Sequence, residues 1–238
     1  MNDNLGRYQF DDELTRGEKI FLWIYLPIHV VVLPLLLGMT QLSGLMGMSE
    51  GDMNLMYYGV GLLCMLIFLR SFLRRSFDRL CDRIMACAFA VILGYMLMLA
   101  LNYFAAMLET LFEQQLDNLN NDAVTQLANE DYGKAAALAV FLAPMVEEPL
   151  FRAGIFGTIR KKHRFWAYAV SIVLFALYHV WQYALAYADP MYLLIAVEYI
   201  PAGLALCWAY DRTGSIWTPI FLHMLINWLN LAALSATQ

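Results

Sequence analysis

Apolar residues fall into seven runs along the chain, near 20–39, 53–70, 84–108, 135–158, 165–187, 191–210 and 215–234. Each approaches or exceeds about 18 residues, the length at which an α-helix crosses the hydrocarbon core of a bilayer. Short polar stretches separate the runs, with no internal repeat and no Pro- or Ser-rich linker between two bodies. The pattern predicts an all-α, polytopic membrane helical bundle of about seven transmembrane helices. We divide it into an N-terminal segment over 1–19 and a single transmembrane domain over 20–238. The first run, from Phe21 to Met39, follows a polar, partly acidic start and lacks a small-residue cleavage site, so it reads as a retained helix and not a secretory signal.

Basic residues set the orientation. Arg7, Arg16 and Lys19 precede the first run, and Arg70, Arg74, Arg75, Arg79 and Arg83 lie between the second and third. IRKKHR follows the fourth run and Arg212 the sixth, whereas the intervening loops carry Lys134 alone. This alternation predicts a cytoplasmic N-terminus and a C-terminus outside. Trp23, Trp166, Trp208 and Trp217 fall near inner ends of runs, where an interfacial belt would place them.

Composition sharpens the picture. The chain is 61% hydrophobic and 15% charged, against roughly half and a quarter for a soluble domain. A net charge of −5 gives no concentrated basic face for nucleic acid. Cys64, Cys81, Cys87 and Cys207 form no CxxC pair or metal-ligand spacing and read as reduced packing residues. The acidic segment 109–131 carries Leu108, Leu111, Phe112, Leu116 and Leu119 at helical spacing; an amphipathic helix on the outer leaflet and a solvated loop both fit.

Ionisable side chains inside a span are costly and therefore candidates for function. The fourth run holds Glu147, Glu148 and Arg152, the fifth His179, the sixth Glu198, and the seventh His223 with Asn227. At about 1.5 Å rise per residue, Glu147 lies roughly 16 Å from the inner end of its run, His179 roughly 21 Å, His223 roughly 12 Å and Asn227 roughly 18 Å. Three helices thus bring polar groups to one layer.

Glu148 and Arg152 are four residues apart in the order that favours an ion pair. Glu147 is rotated by about 100° and left available. His223 and Asn227 share one helix face, as do Phe175 and His179. Pro144 and Pro149 bracket the glutamates, and a broken helix at membrane depth is tolerated where it lines a polar cavity. Each proline should free a carbonyl four residues earlier, at Val140 and Met145. In this arrangement Glu147 is the base that takes a proton from water, and His179 holds that water or shares the proton. His223 and Asn227 face the developing oxyanion. Glu198 and Phe175 are candidate pocket residues, Glu198 equally a helix-packing residue shielded from lipid, whereas His29, in the first run, reads as structural.

These residues resemble the CAAX protease and bacteriocin-processing (CPBP) intramembrane peptidases. Glu147-Glu148-Pro-Leu-Phe-Arg152 fits their EExxxR motif, Phe175-Ala-Leu-Tyr-His179 their FxxxH, and His223-Met-Leu-Ile-Asn227 their HxxxN. The resemblance covers roughly 140–230, within a peptidase motif region at about 135–234, and implies an all-helical membrane endopeptidase, type II CAAX prenyl endopeptidase-like. Catalytic positions would be Glu147, Glu148, His179, His223 and Asn227, with Arg152 in support. The implied partners are a membrane-associated peptide or protein substrate and the bilayer, and the expected location is a bacterial plasma membrane.

Three rivals stand beside this reading. A zinc variant would use two His and a Glu with an open fourth position, but there is no HExxH, and the metal-free form with no cofactor is the one adopted. A non-catalytic immunity or partner membrane protein would retain the fold. A proton-coupled transporter would ordinarily show paired broken helices, and only the fourth run is doubly broken.

Overall fold

The computed structural model describes residues 10–11, 14–42, 47–109 and 118–236, and every regular element among them is helical. We number the helices α1 (Arg16–Met39), α2 (Glu50–Phe68), α3 (Arg70–Asp82), α4 (Ile84–Glu109) and α5 (Leu119–Glu130). The segmented α6 covers 132–160, and α7 (Arg164–Tyr178), α8 (Trp181–Ala186), α9 (Pro190–Thr213) and α10 (Trp217–Ala236) follow. Among the described residues α1, α2, α4, α9 and α10 each contain a stretch long and apolar enough to cross a membrane, and α7 is a shorter apolar helix. With α6 they overlie the seven apolar runs. Ile24, Leu36, Ile67, Ile92 and Met96 are exposed on the outside of the bundle, a surface that acyl chains can cover and water cannot do so cheaply.

Local chemistry fixes several ends. Thr15 and Glu18 form a reciprocal capping box at the start of α1. Gly214, at φ 71°, ends α9 in the left-handed conformation that glycine adopts without strain. The arginine-rich stretch between the second and third runs is itself a helix, α3. It buries Phe72, Leu73 and Leu80, while Arg75 binds Glu18 at 2.7 Å and Arg79 reaches the carbonyl of Gly214. At the opposite, acidic end Lys134 Nζ donates to Asp52 at 2.7 Å, tying α6 to α2. That hydrogen bond holds the lysine pKa above its ordinary value. The amphipathic expectation at Leu108–Leu119 lies partly outside the described residues; helix α5 begins at Leu119 and buries none of its side chains.

Helix α6 is the centre of the bundle. Every residue from Pro149 to Gly157 is buried, so this span meets protein on all sides. Its hydrogen bonding widens to π-helical turns over Ala137–Leu142 and Pro149–Gly157, flanking the α-helical Ala143–Glu148. In the first of these the Ala143 N–H bonds Leu138 O, five residues back. By the same spacing Pro144 stands opposite Ala139, and lacking an N–H it leaves that carbonyl open. The orphan is therefore Ala139, one residue from the expected Val140, because the turn is wider than an α-turn. Asn227 of α10 takes it, Nδ2 to O at 2.7 Å.

The same device occurs in α1, where Pro27 and Pro34 flank a wide turn, so the fourth run is not alone in being doubly broken, contrary to the expectation above. Ile28–Val32 is π-helical, Leu33 N–H bonds Ile28 O, and Pro34 leaves the carbonyl of His29 open. Tyr57 of α2 donates its hydroxyl proton there at 2.7 Å. Close packing of α2 on α6 requires Gly61: a Cβ at that position would lie 3.1 Å from both methyls of buried Val146, beside Glu147.

Candidate functional site

Glu147, Glu148 and Arg152 are 2%, 0% and 0% exposed, burial that demands partners. Glu148 Oε1 accepts from Arg152 Nη1 at 3.1 Å, and His223 Nδ1 lies 2.7 Å from the same oxygen. The Arg152 guanidinium rests 4.0 Å from the centre of the Phe175 ring, and Nη2 contacts the carbonyl of Gly203 at 3.4 Å. The cation thus receives a carboxylate, a carbonyl and an aromatic face at a position closed to the surface. Phe175 also meets His179 and His223 edge-on, with ring centres 4.6 and 5.9 Å away.

Glu147 faces another set. Its Oε1 accepts the hydroxyl of Tyr58 at 2.8 Å, whereas Oε2 is buried and has no hydrogen-bond partner among the described residues. The Tyr58 oxygen lies 3.0 Å from that of Tyr178, which lies 3.3 Å from that of Tyr57. His29 stacks on Tyr57 at 4.3 Å between ring centres, with Tyr25 OH 3.4 Å from its Nδ1.

Protons along this chain can be counted. Tyr57 gives its proton to His29 O, which can only accept, and an ionised Glu147 takes that of Tyr58. Tyr178 then has one proton for two neighbours, so three phenolic protons serve four contacts. A proton on Glu147 brings the number to four.

His179 adjoins this chain, its ring meeting that of Tyr178 edge-on with centres 5.4 Å apart. Its Nδ1 is 2.8 Å from the carbonyl of Phe175. A carbonyl cannot donate, so Nδ1 carries the hydrogen and the neutral ring leaves Nε2 as an acceptor. Tyr199 stacks on the imidazole at 4.2 Å between ring centres.

The structure thus brings Glu147, Glu148, Arg152, Phe175, His179 and His223 together. Two residues depart from their expected places. Asn227 stands on the same helix face as His223, but its amide is engaged with Ala139, so a donor role toward an oxyanion must share that amide with a structural one. Glu198 is exposed, and its Oε2 accepts from Asn118 Nδ2 at 2.6 Å; it anchors the start of α5 and does not enter the cluster. Among the described residues no group of three His, Cys, Asp or Glu side chains is placed to hold a metal ion. Glu148, the carboxylate nearest His223, already has Arg152 on the shared oxygen.

Reasoning from motifs missed Tyr57, Tyr58 and Tyr178 and gave His29 no link to the site. Tyr178 precedes His179 within the matched FxxxH segment; the consecutive Tyr57-Tyr58 pair was the other available signal.

A buried carboxylate and imidazole cluster on the broken central helix of an apolar bundle defines this as a helical membrane protein with a protected polar site. Residues 133–229 match the family model described as "Type II CAAX prenyl endopeptidase Rce1-like". The chain is also 36% identical over 87 residues to the Bacillus subtilis (strain 168) protein named "Putative membrane peptidase YdiL". That alignment covers 36% of this chain and 31% of the relative, so it spans less than a third of the relative's length. The family-model match spans Glu147, Glu148, Arg152, Phe175, His179 and His223. No solved structure matches the chain significantly.

Proposed function

We propose that the chain is an intramembrane endopeptidase that hydrolyses a peptide bond in a membrane-associated peptide or protein, with Glu147 as general base. The observation that carries this reading is the divided environment of the Glu147 carboxylate. One oxygen is fixed by Tyr58, and the other is unengaged in a buried site shared with His179. Water placed between Glu147 Oε2 and His179 Nε2 would lose a proton to the carboxylate as its oxygen attacks the substrate carbonyl.

The phenol chain accommodates that proton. Once the protonated carboxyl group has turned to present its O–H to Tyr58, Glu147 can donate to Tyr58, Tyr58 to Tyr178, and Tyr178 to Tyr57, while the Tyr57 proton stays on the carbonyl of His29 and every contact is filled. No charge leaves the pocket. When the tetrahedral intermediate collapses, the C–N bond breaks, Glu147 returns the proton to the leaving amine, and the chain turns back. His223 can offer Nε2–H to the oxyanion when it carries both ring protons, because its Nδ1 proton faces Glu148. A cytoplasmic N-terminus, resting on the alternation of basic loops, belongs to the same proposal, as does a bacterial plasma membrane, in keeping with the likeness to a Bacillus subtilis membrane peptidase.

Glu147→Gln keeps a hydrogen-bonding partner for Tyr58 but cannot accept a proton. Membrane fractions from cells carrying it should accumulate uncleaved precursors relative to wild type, while the variant inserts at normal abundance. Normal processing in those cells would remove Glu147 as the base.

A further inference from the structure

A cavity of about 820 Å³ opens at the basic end of the bundle, between α4, α6, α7 and α9. Its polar rim includes Arg83, Arg160, Arg164, Asp211 and Arg212, and its apolar wall includes Ala86, Phe89 and Leu93 of α4 with Trp208 of α9.

The rim is organised around one buried carboxylate. Asp211 Oδ1 accepts from Arg160 Nε at 2.6 Å, and Oδ2 accepts from Arg164 Nε and Tyr168 OH, both at 3.0 Å. Both of its oxygens are occupied, yet it offsets only one positive charge. Leaving Arg83 aside, Arg160, Arg164 and Arg212 exceed Asp211 by two charges. Arg160 meets Asp211 through Nε, so its terminal NH2 groups remain for an anion of matching geometry.

The wall selects among anions. Phe89 and Leu93 are half exposed and continue into Ile92 and Met96 on the outer face of α4. A small inorganic anion gains nothing from that surface, whereas an acyl chain would cover it.

We propose that this cavity binds an anionic phospholipid, its phosphate diester held by Arg160, Arg164 and Arg212 and its acyl chains laid along α4. The bound lipid joins α4 and α9 to the basic end of α6, the helix that carries Glu147. The inference does not depend on hydrolysis at that residue.

The full chain, purified in a neutral detergent, is titrated with phosphatidylglycerol, with phosphatidylcholine and with inorganic phosphate. Unfolding temperature and native mass spectrometry are the readouts. Phosphatidylglycerol should bind and raise the unfolding temperature where phosphatidylcholine does not. Arg212→Gln, at an exposed side chain that the fold does not need, and Arg164→Gln should each weaken phosphatidylglycerol binding roughly fivefold. Equal stabilisation by both lipids overturns the site, as does undiminished phosphatidylglycerol preference in both variants. Stabilisation by inorganic phosphate equal to that by phosphatidylglycerol assigns the rim to a free anion and overturns the lipid.

Discussion

Asn227 donates to the carbonyl of Ala139 because Pro144, five residues further along a π-helical turn, cannot. In a bilayer no water is present to take the place of either proton donor. Asn227→Ala should therefore lower stability by about 1–3 kcal/mol, the cost of an unpartnered buried carbonyl. Combining it with Pro144→Ala restores a backbone N–H at the right spacing, so the double variant should recover part of the loss. Unfolding in detergent measures both. If Asn227→Ala unfolds at the wild-type temperature, the residue has no structural role.

Tyr58 and Tyr178 separate direct from relayed support of Glu147. Tyr58→Phe removes the charge-assisted hydrogen bond and should lower kcat by about ten- to a hundredfold, as expected for a bond of ~1.5–3 kcal/mol. Tyr178→Phe leaves that bond but interrupts the turning of protons beyond it, so kcat should fall by a smaller factor with KM little changed. A Tyr178→Phe enzyme with unaltered kcat would show that the chain ends functionally at Tyr58.

Arg152 is the guanidinium that faces the buried Glu148 carboxylate, Nη1 to Oε1 at 3.1 Å. Arg152→Ala strands a buried carboxylate and should cost about 3–5 kcal/mol. Arg152→Lys keeps the charge but loses the planar fork that reaches both Glu148 and Gly203 while lying on Phe175. It should fall between wild type and Arg152→Ala in thermal stability; parity with either end would discount the role of the planar fork.

Gly61→Ala brings a methyl against Val146, which is buried and β-branched and has little room to give. The expected cost is about 1–3 kcal/mol. The push also acts on the helix pair that sets the Tyr58–Glu147 distance, so activity should fall more than stability explains. Assay at a temperature well below unfolding checks this.

The sequence made the shared layer of α6, α7 and α10 legible because charge inside an apolar run is conspicuous. Glu147, His179 and His223 announce themselves by cost, and i,i+4 spacing assigns their faces. Tyr57, Tyr58 and His29 do not, since a phenol in an apolar helix reads equally well as packing. Only the approach of α1 and α2 to α6 turns these rings into hydrogen-bonding partners. The wide turns were likewise hidden: prolines were visible, but not that the orphaned carbonyl shifts by one residue, and that shift redirected Asn227. Glu198 was conspicuous for the right reason, yet its partner Asn118 comes from outside the matched region.

The π-helical stretch at Ala137–Leu142 also sets how the two halves of α6 are phased. Were its six residues wound as ordinary α-turns, the span would lose no residue and stay just as apolar. Everything on the C-terminal side would swing by about 100° relative to what precedes it. Glu147 would point at a different neighbour without any atom of its own having been altered. Spacing within this stretch is thus a heritable setting for the direction of the carboxylate, separate from its chemistry.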